Sequence, residues 1–269
     1  MLQRCLRSHK NRPIISAVKT YNYKLAKHLV RILTPFLDST HILTDSFEFI
    51  NKISNLDPRI DIRTLSFDVV SLFTNVPTLE TIEIILDAVF KPREDNDDED
   101  FELFFGLVLT YCGFTREELK ELLIICTQES HFQFNGTYYD QVDGVAMGSP
   151  LGPLFANFFM ADFENKYMAS LKELGIQRWY RYVDDIFATL GANGDADAIL
   201  KLLNSKHLNI KFTMELEDKN KLPFLDVYVI RTVGKYITTV YRKKTFTGVY
   251  LNWNSLTSRK YKIGLINNL

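Results

Sequence analysis

Three aspartates in two short stretches are the residues of this sequence best suited to chemistry. Asp68 lies in "SFDVVSLF", a run of apolar residues, and Asp184 and Asp185 are adjacent in "RWYRYVDDIFATL", between two apolar, aromatic-rich runs. A buried aspartate needs a partner, and clustered carboxylates repel one another unless a cation lies between them. An all-carboxylate cluster with no His or Cys nearby in the sequence favours Mg²⁺. Paired Mg²⁺ ions are a common device for nucleotidyl transfer.

Both stretches also have ordinary explanations. Asp68 could form a salt bridge or cap a backbone amide, and the Asp184-Asp185 pair could be a solvated turn, since Asp is frequent in turns. Another adjacent pair lies within residues 91–100, "KPREDNDDED", which hold two basic and six acidic residues. We interpret that run as a solvated surface loop. The aspartate pair is therefore weak evidence by itself.

The surrounding elements predict an α+β fold with a mainly antiparallel sheet. Residues 63–73 predict a buried strand because they are apolar and β-branched. Thr115 and Glu118 form a capping-box pattern at the start of a helix, and Asn135-Gly136 predicts a hairpin. Further helices are predicted at 21–37, 45–54, 78–90 and 195–207 and after the Gly-Ser-Pro at 148–150, and further strands in "IKFTMELE", "LPFLDVYVIR" and "KYITTVYRKKTF". Hairpins outnumber parallel crossovers in this order of elements, which favours the α+β class.

Composition sets broad limits on the class of protein. The chain has 269 residues, 46% hydrophobic and 24% charged, as in ordinary globular proteins, and can form one large domain or two small ones. It shows no apolar run that could span a membrane, and we expect no secretory signal because no apolar stretch follows the basic residues of the first segment. Cys5, Cys112 and Cys126 form neither a disulfide framework nor a metal site. We therefore expect an intracellular protein, in the nucleus or the cytoplasm.

Several motifs resemble those of reverse transcriptases. "FDVVSLF", "GVAMGSPLGPLFANFF" and "YVDD" occur in the order of motifs A, B and C. The flanking text, including "YNYKLAKHLVRILTPFL", "LSFDVVSLFTNVP", "IKFTMELEDKNKLPFLDV" and "YRKKT", resembles the reverse transcriptase of Penelope-like retroelements, transposable elements whose polymerase is related to telomerase. The likeness covers residues 12 to about 255. It implies an RNA-directed DNA polymerase with a right-hand polymerase palm, an antiparallel sheet packed on helices.

The resemblance also implies a division of the chain. Residues 1–62 would be partial fingers, and residues 63–255 the palm, with a fingers-type insertion at about 78–130. Residues 256–269 would begin a truncated thumb connection, so we expect the thumb to be largely missing. The implied partners are an RNA template, a DNA primer and dNTPs; the sequence indicates neither a membrane nor an obligate protein partner.

The resemblance assigns the aspartates their roles. Asp68 and Asp184 would be the main ligands of two Mg²⁺ ions, for which Mn²⁺ is a candidate substitute. Asp185 would complete the cluster, and the backbone carbonyl of Val69 would be a further ligand. This arrangement would bring the primer 3′-hydroxyl in line with the α-phosphate of the incoming dNTP.

Two motifs would contact the nucleotide. Phe73 matches the aromatic residue that excludes a ribose 2′-hydroxyl, although an ordinary core phenylalanine is the alternative. Gly148, Ser149 and Pro150 match the motif B turn, where glycine lets the backbone approach the nucleotide; the same residues also suit a helix start. Met147 stands where many retroviral-type enzymes have Gln.

Two basic residues have less specific matches. Arg12 would clamp the triphosphate, a task suited to a bidentate guanidinium, with Lys10 assisting. Lys211 is a candidate general acid that protonates pyrophosphate. The alternatives are a solvated arginine and an ordinary lysine at a strand edge.

The run "YRKKTF" (241–246) interleaves basic and aromatic residues. Tyr241, Arg242, Lys243 and Lys244 would bind the nucleic-acid backbone, because cationic and aromatic side chains together suit phosphates and bases. A solvated strand edge is the alternative.

Two other functions stay open at this point. One is a catalytically silent remnant or a domesticated nucleic-acid-binding protein, which the expected lack of a thumb favours. The other is an RNA-dependent RNA polymerase, which Phe73 and Tyr182-Val183 disfavour.

Overall fold

The structure is a computed structural model that describes residues 17, 18, 20–56, 63–91, 113–128, 131–134, 137–140 and 144–267. In this part of the chain, helices and strands are interleaved, and every pairing between two of the strands named below is antiparallel. The predicted mixture of helices with an antiparallel sheet is therefore confirmed.

The helices of the described part fall mainly where helical periodicity predicts them. In chain order they are α1 Tyr23–Leu33, α2 Ser46–Ser54, α3 Leu72–Asn75, α4 Thr78–Phe90, α5 Arg116–Thr127, α6 Leu151–Glu173, α7 Ala196–Ser205 and α8 Arg259–Asn267. A 3-10 turn, Thr34–Phe36, follows α1 and contains Pro35. The predicted capping box is confirmed, since the Thr115 side chain accepts from the Glu118 N–H and the Glu118 carboxylate accepts from the Thr115 N–H.

The strands form three antiparallel sheets. They are β1 Arg63–Val69, β2 His131–Phe134, β3 Thr137–Asp140, β4 Ile176–Tyr182, β5 Asp185–Leu190, β6 Phe212–Leu216, β7 Lys221–Phe224, β8 Val227–Thr232 and β9 Lys235–Val240. The central sheet has the order β4-β5-β1-β6, β2 pairs with β3, and β7-β8-β9 form a three-stranded sheet. The predicted hairpin around positions 135 and 136 is confirmed, because Phe134 pairs with Thr137.

The two faces of the central sheet have different neighbours. Alternation along β1 points Leu65, Phe67 and Val69 toward α6, where they join a buried cluster with Phe159 and Phe163. Residues at the intervening positions of β1 and β5 share the opposite face, called here the acidic face, which carries Asp68 and Asp185. Part of that face is covered by the three-stranded sheet.

Aromatic packing fixes how the three-stranded sheet meets the acidic face. Phe187 of β5 contacts Phe49 of α2, with ring centroids 5.0 Å apart, and Phe224 of β7, with centroids 5.6 Å apart. All three are buried in one cluster. The acidic face is therefore closed beyond Phe187 and remains accessible at the aspartates.

The long helix α6 joins the central sheet to the helical part of the fold. Its Phe155 and Phe158 belong to a second cluster with α1, α4 and α5. Cys126 of α5 is also buried in this cluster, and burial raises the pKa of its thiol to about 11, which makes it unreactive at neutral pH. No helix among the described residues combines the length and the apolar character needed to cross a membrane.

Two local expectations about the strands are wrong, and one predicted stretch divides into a hairpin. The predicted strand 63–73 ends at Val69, because Ser71 adopts a left-handed backbone with φ +57° and α3 begins at the next residue. The run "LPFLDVYVIR" forms two strands that turn at Leu225. The last strand ends at Val240, so the basic residues from Arg242 to Lys244 lie outside it.

Candidate active site

A tight hairpin turn brings the three aspartates together. Strand β4 ends at Tyr182 and β5 begins at Asp185, so Val183 and Asp184 form a two-residue turn. Asp68 pairs directly with Asp185 across β1 and β5, which places both side chains on one face. The Val69 N–H donates to the Asp184 carbonyl at 3.0 Å and so ties the turn to the end of β1.

Asp68 is exposed, whereas Asp184 and Asp185 are half-buried. The expectation that Asp68 is buried in its strand is therefore wrong: Phe67 and Val69 on either side of it are buried, but Asp68 points to the open face. Because Asp68 is exposed, the free-energy cost of burying its charge no longer supports a metal site. The case for a site depends instead on the proximity of the three carboxylates.

That proximity is visible in the electrostatics of Asp185. Burial, followed by the negative charges of Asp184 and Asp68, raises the pKa of the Asp185 carboxyl to about 6. The Lys243 ammonium acts in the opposite direction and lowers this pKa. The carboxylates are thus close enough to repel one another, and Lys243 compensates them in part.

The donor chemistry fits Mg²⁺, which prefers carboxylate oxygens. Among the described residues, however, no group of three or more His, Cys, Asp or Glu side chains is arranged to hold one metal ion. Mg²⁺ is commonly bound by only one or two protein carboxylates, with water and substrate phosphates completing its shell. Asp68 and Asp185, paired across two strands, match that sparser arrangement.

A cavity of about 290 Å³ opens beside the aspartates. Asp68, Asp185 and Thr213 line the side formed by the central sheet, and Leu225 and Lys243 line the side formed by the three-stranded sheet and the segment after it. The cavity therefore combines carboxylates on one wall with a cation on the other.

Phe73 lies on α3, half-buried between the two large clusters. The Phe73 carbonyl accepts from the Val145 N–H at 2.7 Å. A Cβ built on Gly144 would lie 2.6 Å from the Phe73 carbonyl oxygen and 2.7 Å from the Thr74 Cα. Gly144, whose φ is +72°, thus allows the segment leading into α6 to dock against α3.

The Gly148-Ser149-Pro150 turn directly precedes α6. The Ser149 N–H donates to the Ala146 carbonyl at 2.9 Å, and the Ser149 Oγ accepts from the Leu151 N–H at 3.3 Å. Pro150 is the N-cap residue of α6. These residues form the expected helix-start turn, and their contact with a nucleotide stays a prediction.

Lys211 is placed by the end of a helix rather than by the aspartates. Its ammonium donates to the Asn204 carbonyl at 2.8 Å and to the His207 carbonyl at 3.1 Å, at the C-terminal end of α7, where the helix dipole favours a cation. The general-acid role of Lys211 stays a prediction. Arg12 and Lys10 lie outside the described residues.

The predicted nucleic-acid-binding residues lie in the irregular segment after β9. The Tyr241 ring stacks on Tyr228 at 5.8 Å, and the Tyr241 N–H donates to the Asp226 carbonyl at 2.8 Å. The Arg242 guanidinium lies 5.2 Å from the centre of the Phe246 ring. Lys243 and Lys244 are exposed, and Lys243 also reaches the cavity.

The structure adds residues that the sequence analysis missed. The strand registers place Tyr182, Asp185, Asp68 and Thr213 in one row across the four strands of the central sheet. Alternation in "IKFTMELE" could have placed Thr213 on the face opposite Phe212. Arg181, next to the turn, is fully buried, and a basic residue inside an apolar hairpin was the signal that could have identified it.

The sequence matches no protein-family model and no curated protein. Its fold is similar to solved telomerase structures. A structure of Candida tropicalis telomerase in complex with a TWJ fragment of telomeric RNA superposes with a TM-score of 0.55 at 13% identity, over 92% of this chain and 41% of that one. The apo telomerase of Candida tropicalis truncated from its C-terminal domain gives a TM-score of 0.54 at 15% identity, over 87% and 50%.

The telomerase of Candida albicans with a TWJ fragment of telomeric RNA gives a TM-score of 0.53 at 13% identity, over 80% of this chain and 37% of that one. The chain therefore spans half or less of the telomerase structures that it matches. These similarities establish a fold shared with part of telomerase.

Proposed function

We propose that this chain is the polymerase domain of a reverse transcriptase of the Penelope-like type, in which a right-hand palm carries out RNA-directed DNA synthesis. The observation that carries the proposal is the register that pairs Asp68 with Asp185 beside the Val183-Asp184 turn, within a fold shared with telomerase. The matching motifs A, B and C supply the order of the catalytic elements.

The acidic face would hold divalent cations next to the cavity. Bound there, Mg²⁺ would lower the pKa of the primer 3′-hydroxyl and stabilise negative charge on the phosphates. Asp68 and Asp184 would be the main ligands, with Asp185 and the Val69 carbonyl beside them. Thr213 lies next to Asp68 in the row. It would extend the polar wall along the nucleotide.

The remaining residues would position substrates. Phe73 would lie under the sugar, where a ring leaves room for hydrogen but not for a 2′-hydroxyl. The turn at Gly148, Ser149 and Pro150 would approach the base pair. Arg242, Lys243 and Lys244 would contact the phosphates of the primer and the RNA template, since cationic side chains provide much of nucleic-acid affinity.

Primer extension on an RNA template with Mg²⁺ tests the polymerase, with dNTPs and NTPs assayed separately. We expect DNA synthesis by the wild type and about a 1,000-fold loss in Asp184→Asn, because a metal ligand is removed. Asp197→Asn is the matched control, since Asp197 is an exposed aspartate in the first turn of α7. Equal rates in Asp184→Asn and the wild type would refute the proposal.

The same assay tests the sugar selectivity of the site. Replacing Phe73 with Val removes the ring and should raise NTP incorporation relative to dNTP incorporation by about 10-fold or more. Phe36→Val is a comparison variant, because Phe36 is another partly buried phenylalanine, located in the 3-10 turn after α1. An unchanged sugar preference in Phe73→Val would remove this residue from the nucleotide site.

A nucleic-acid-binding protein without catalysis is the second candidate. It is favoured by the placement of Lys211, the candidate general acid, whose ammonium is held by backbone carbonyls at the end of α7. Template binding without any extension by the wild type, under conditions in which its fold is verified, would favour this function over the polymerase.

A further inference from the structure

Arg181 is the second-last residue of β4, just before the Val183-Asp184 turn, and it is completely buried. Buried guanidinium groups are rare because the charge must be fully paired. Its strand partner is Ile186, so its side chain lies on the sheet face toward α6, opposite to the acidic face. Arg181 is therefore placed directly behind the turn that carries Asp184.

Two residues of α6 hold the guanidinium. Its Nε and Nη2 donate to the two carboxylate oxygens of Glu164 at 2.7 and 3.1 Å. Its Nη1 donates to the Asn157 Oδ1 at 2.7 Å. Asn157 and Glu164 are two helical turns apart and face the same side of α6, which fixes the plane of the guanidinium.

The backbone of Arg181 is fixed from the other side. Its N–H donates to the His41 carbonyl and its carbonyl accepts from the Leu43 N–H, each at 2.7 Å. The segment between α1 and α2 thus pairs with the outer edge of β4 at this residue. Both the main chain and the side chain of Arg181 are held in place.

The remaining contact of the guanidinium is with the turn itself. Nη1 also donates to the Val183 carbonyl at 3.4 Å. Val183 has φ +55°, an unfavourable backbone conformation for a β-branched residue, which persists only where the surroundings hold it. A buried ion pair seldom adds net stability over apolar residues of similar size, so stability alone does not account for this arrangement.

We propose that Arg181 is a positioning residue, which holds the Val183 carbonyl so that the turn keeps Asp184 and Asp185 in place beside Asp68. The proposal rests on the proposed function, because it assigns Arg181 the task of preparing the divalent-cation site. Glu164 and Asn157 serve the same task by orienting the guanidinium.

Direct Mn²⁺ binding, followed by the loss of the free-ion EPR signal, tests this role without requiring catalysis. Arg181→Lys keeps the positive charge next to Glu164. The single ammonium group of lysine, however, cannot also donate to Asn157 and Val183, as the branched guanidinium does. We expect it to weaken Mn²⁺ binding per folded molecule by about 10-fold, the effect typical of residues that orient metal ligands. Asp185→Asn defines how much binding belongs to the acidic face.

Trp179→Phe is the matched control for damage to the buried network. The Trp179 Nε1 donates to the same Glu164 oxygen at 2.9 Å, but this bond does not involve the turn. We expect Trp179→Phe to lower stability and to leave the Mn²⁺ affinity of the folded protein unchanged. Asn157→Ala, which keeps the Arg181–Glu164 pair, provides the test if Arg181→Lys does not fold. It should also weaken Mn²⁺ binding, but less than Arg181→Lys, because Asn157 contacts only one nitrogen of the guanidinium.

The outcomes separate the two proposals. If the wild type shows Asp185-dependent Mn²⁺ binding, and Arg181→Lys or Asn157→Ala binds as tightly as Trp179→Phe, the role of Arg181 is overturned and the polymerase proposal is untouched. If the wild type shows no binding that Asp185→Asn removes, the metal-dependent function is overturned together with the role of Arg181 in it. Weaker binding in the Arg181 and Asn157 variants alone supports the positioning role.

Discussion

Two hairpin turns of this molecule are built in the same way and differ in what they present. The Val183-Asp184 turn joins β4 to β5, and the Leu225-Asp226 turn joins β7 to β8. In each, an aliphatic residue with positive φ, +55° in Val183 and +53° in Leu225, precedes an aspartate. The backbone solution is thus shared by both turns.

The difference lies in the next residue and in the neighbouring chain. Asp185 follows the first turn and faces Asp68, whereas the buried Val227 follows the second. The first turn is backed by Arg181, and the second is joined through Asp226 to Tyr241, which leads into the basic segment. An aspartate in a tight turn therefore has no chemical meaning by itself; its strand partner and the adjoining segment determine what it can do.

The largest predicted contrast is between catalysis at the first turn and binding beside the second. Neutralising the basic segment with Arg242→Gln, Lys243→Gln and Lys244→Gln together should weaken primer-template affinity roughly 10- to 100-fold and reduce its salt dependence, because phosphate contacts are lost. The extension rate at saturating primer-template should change little. Asp184→Asn should give the reverse pattern, and fluorescence anisotropy with single-turnover kinetics measures both quantities.

If the triple Gln variant and Asp184→Asn both lost extension rate and kept their primer-template affinity, the assignment of binding to the basic segment would be wrong. Lys235→Gln, Lys219→Gln and Lys221→Gln together provide the charge-matched control. These lysines are exposed: Lys221 and Lys235 begin β7 and β9, and Lys219 lies two residues before β7, at the end of the three-stranded sheet away from the basic segment. An equal fall in affinity in this control would mean that net charge, rather than the segment after β9, determines binding.

A smaller effect is expected on stability in the absence of metal. The pKa of the Asp185 carboxyl is raised to about 6 in the folded state, above its pKa in the unfolded chain. The contribution of Asp185 to the free energy of unfolding is therefore most favourable below the unfolded-state pKa and is lost as the pH rises through about 6. At about pH 7 in EDTA, Asp185→Asn should therefore be more stable than the wild type by about 1 kcal/mol, a value reduced for solvent screening. Chemical denaturation across about pH 4 to pH 7 measures it.

The second turn supplies the reference for this measurement. Asp226 is exposed, and Asp226→Asn should change the free energy of unfolding by less than about 0.5 kcal/mol at every pH tested. A similar gain in both variants would show that general surface charge, and not the crowding of Asp68, Asp184 and Asp185, sets the result.

The smallest effect concerns the lysine that links the two regions. The Lys243 charge lowers the pKa of Asp185, so Lys243→Gln should raise that pKa, as followed by NMR of the carboxyl carbon. Lys244→Gln, which removes a charge from the next residue, should leave the titration of Asp185 where it is. Equal shifts in the two variants would contradict a specific role for Lys243.

Elements with local signals were predictable from the sequence. Helix α4 occupies the predicted residues 78–90, and the Thr115 capping box begins α5, because helical periodicity and capping depend on residues within one or two turns. The order of the motifs predicted that the stretches around Asp68 and Asp184 lie next to each other. The strand register that pairs Asp68 with Asp185 could not be predicted from the sequence and is known only from the structure.

Features that depend on distant partners were missed. Strand β9 ends at Val240, because its partner Val227 is the first residue after the Leu225-Asp226 turn. Tyr241 donates one further hydrogen bond, to the Asp226 carbonyl of that turn, and the chain then leaves the ladder. The exposure of Asp68 was not predicted, because the apolar residues on either side of it in the sequence indicated a strand buried on both faces. The bonds of Arg181 reach Glu164 and Asn157, 17 and 24 residues away in sequence, and no local pattern reveals them.

Gly144 imposes a limit on sequence variation in this fold. It combines a left-handed backbone with a neighbouring main chain that would clash with any β-carbon. Gly113 has the same backbone hand, φ +71°, but nothing within 4 Å of the place a β-carbon would take. A randomised library selected for folded protein should thus return glycine almost alone at 144, and asparagine or aspartate besides glycine at 113.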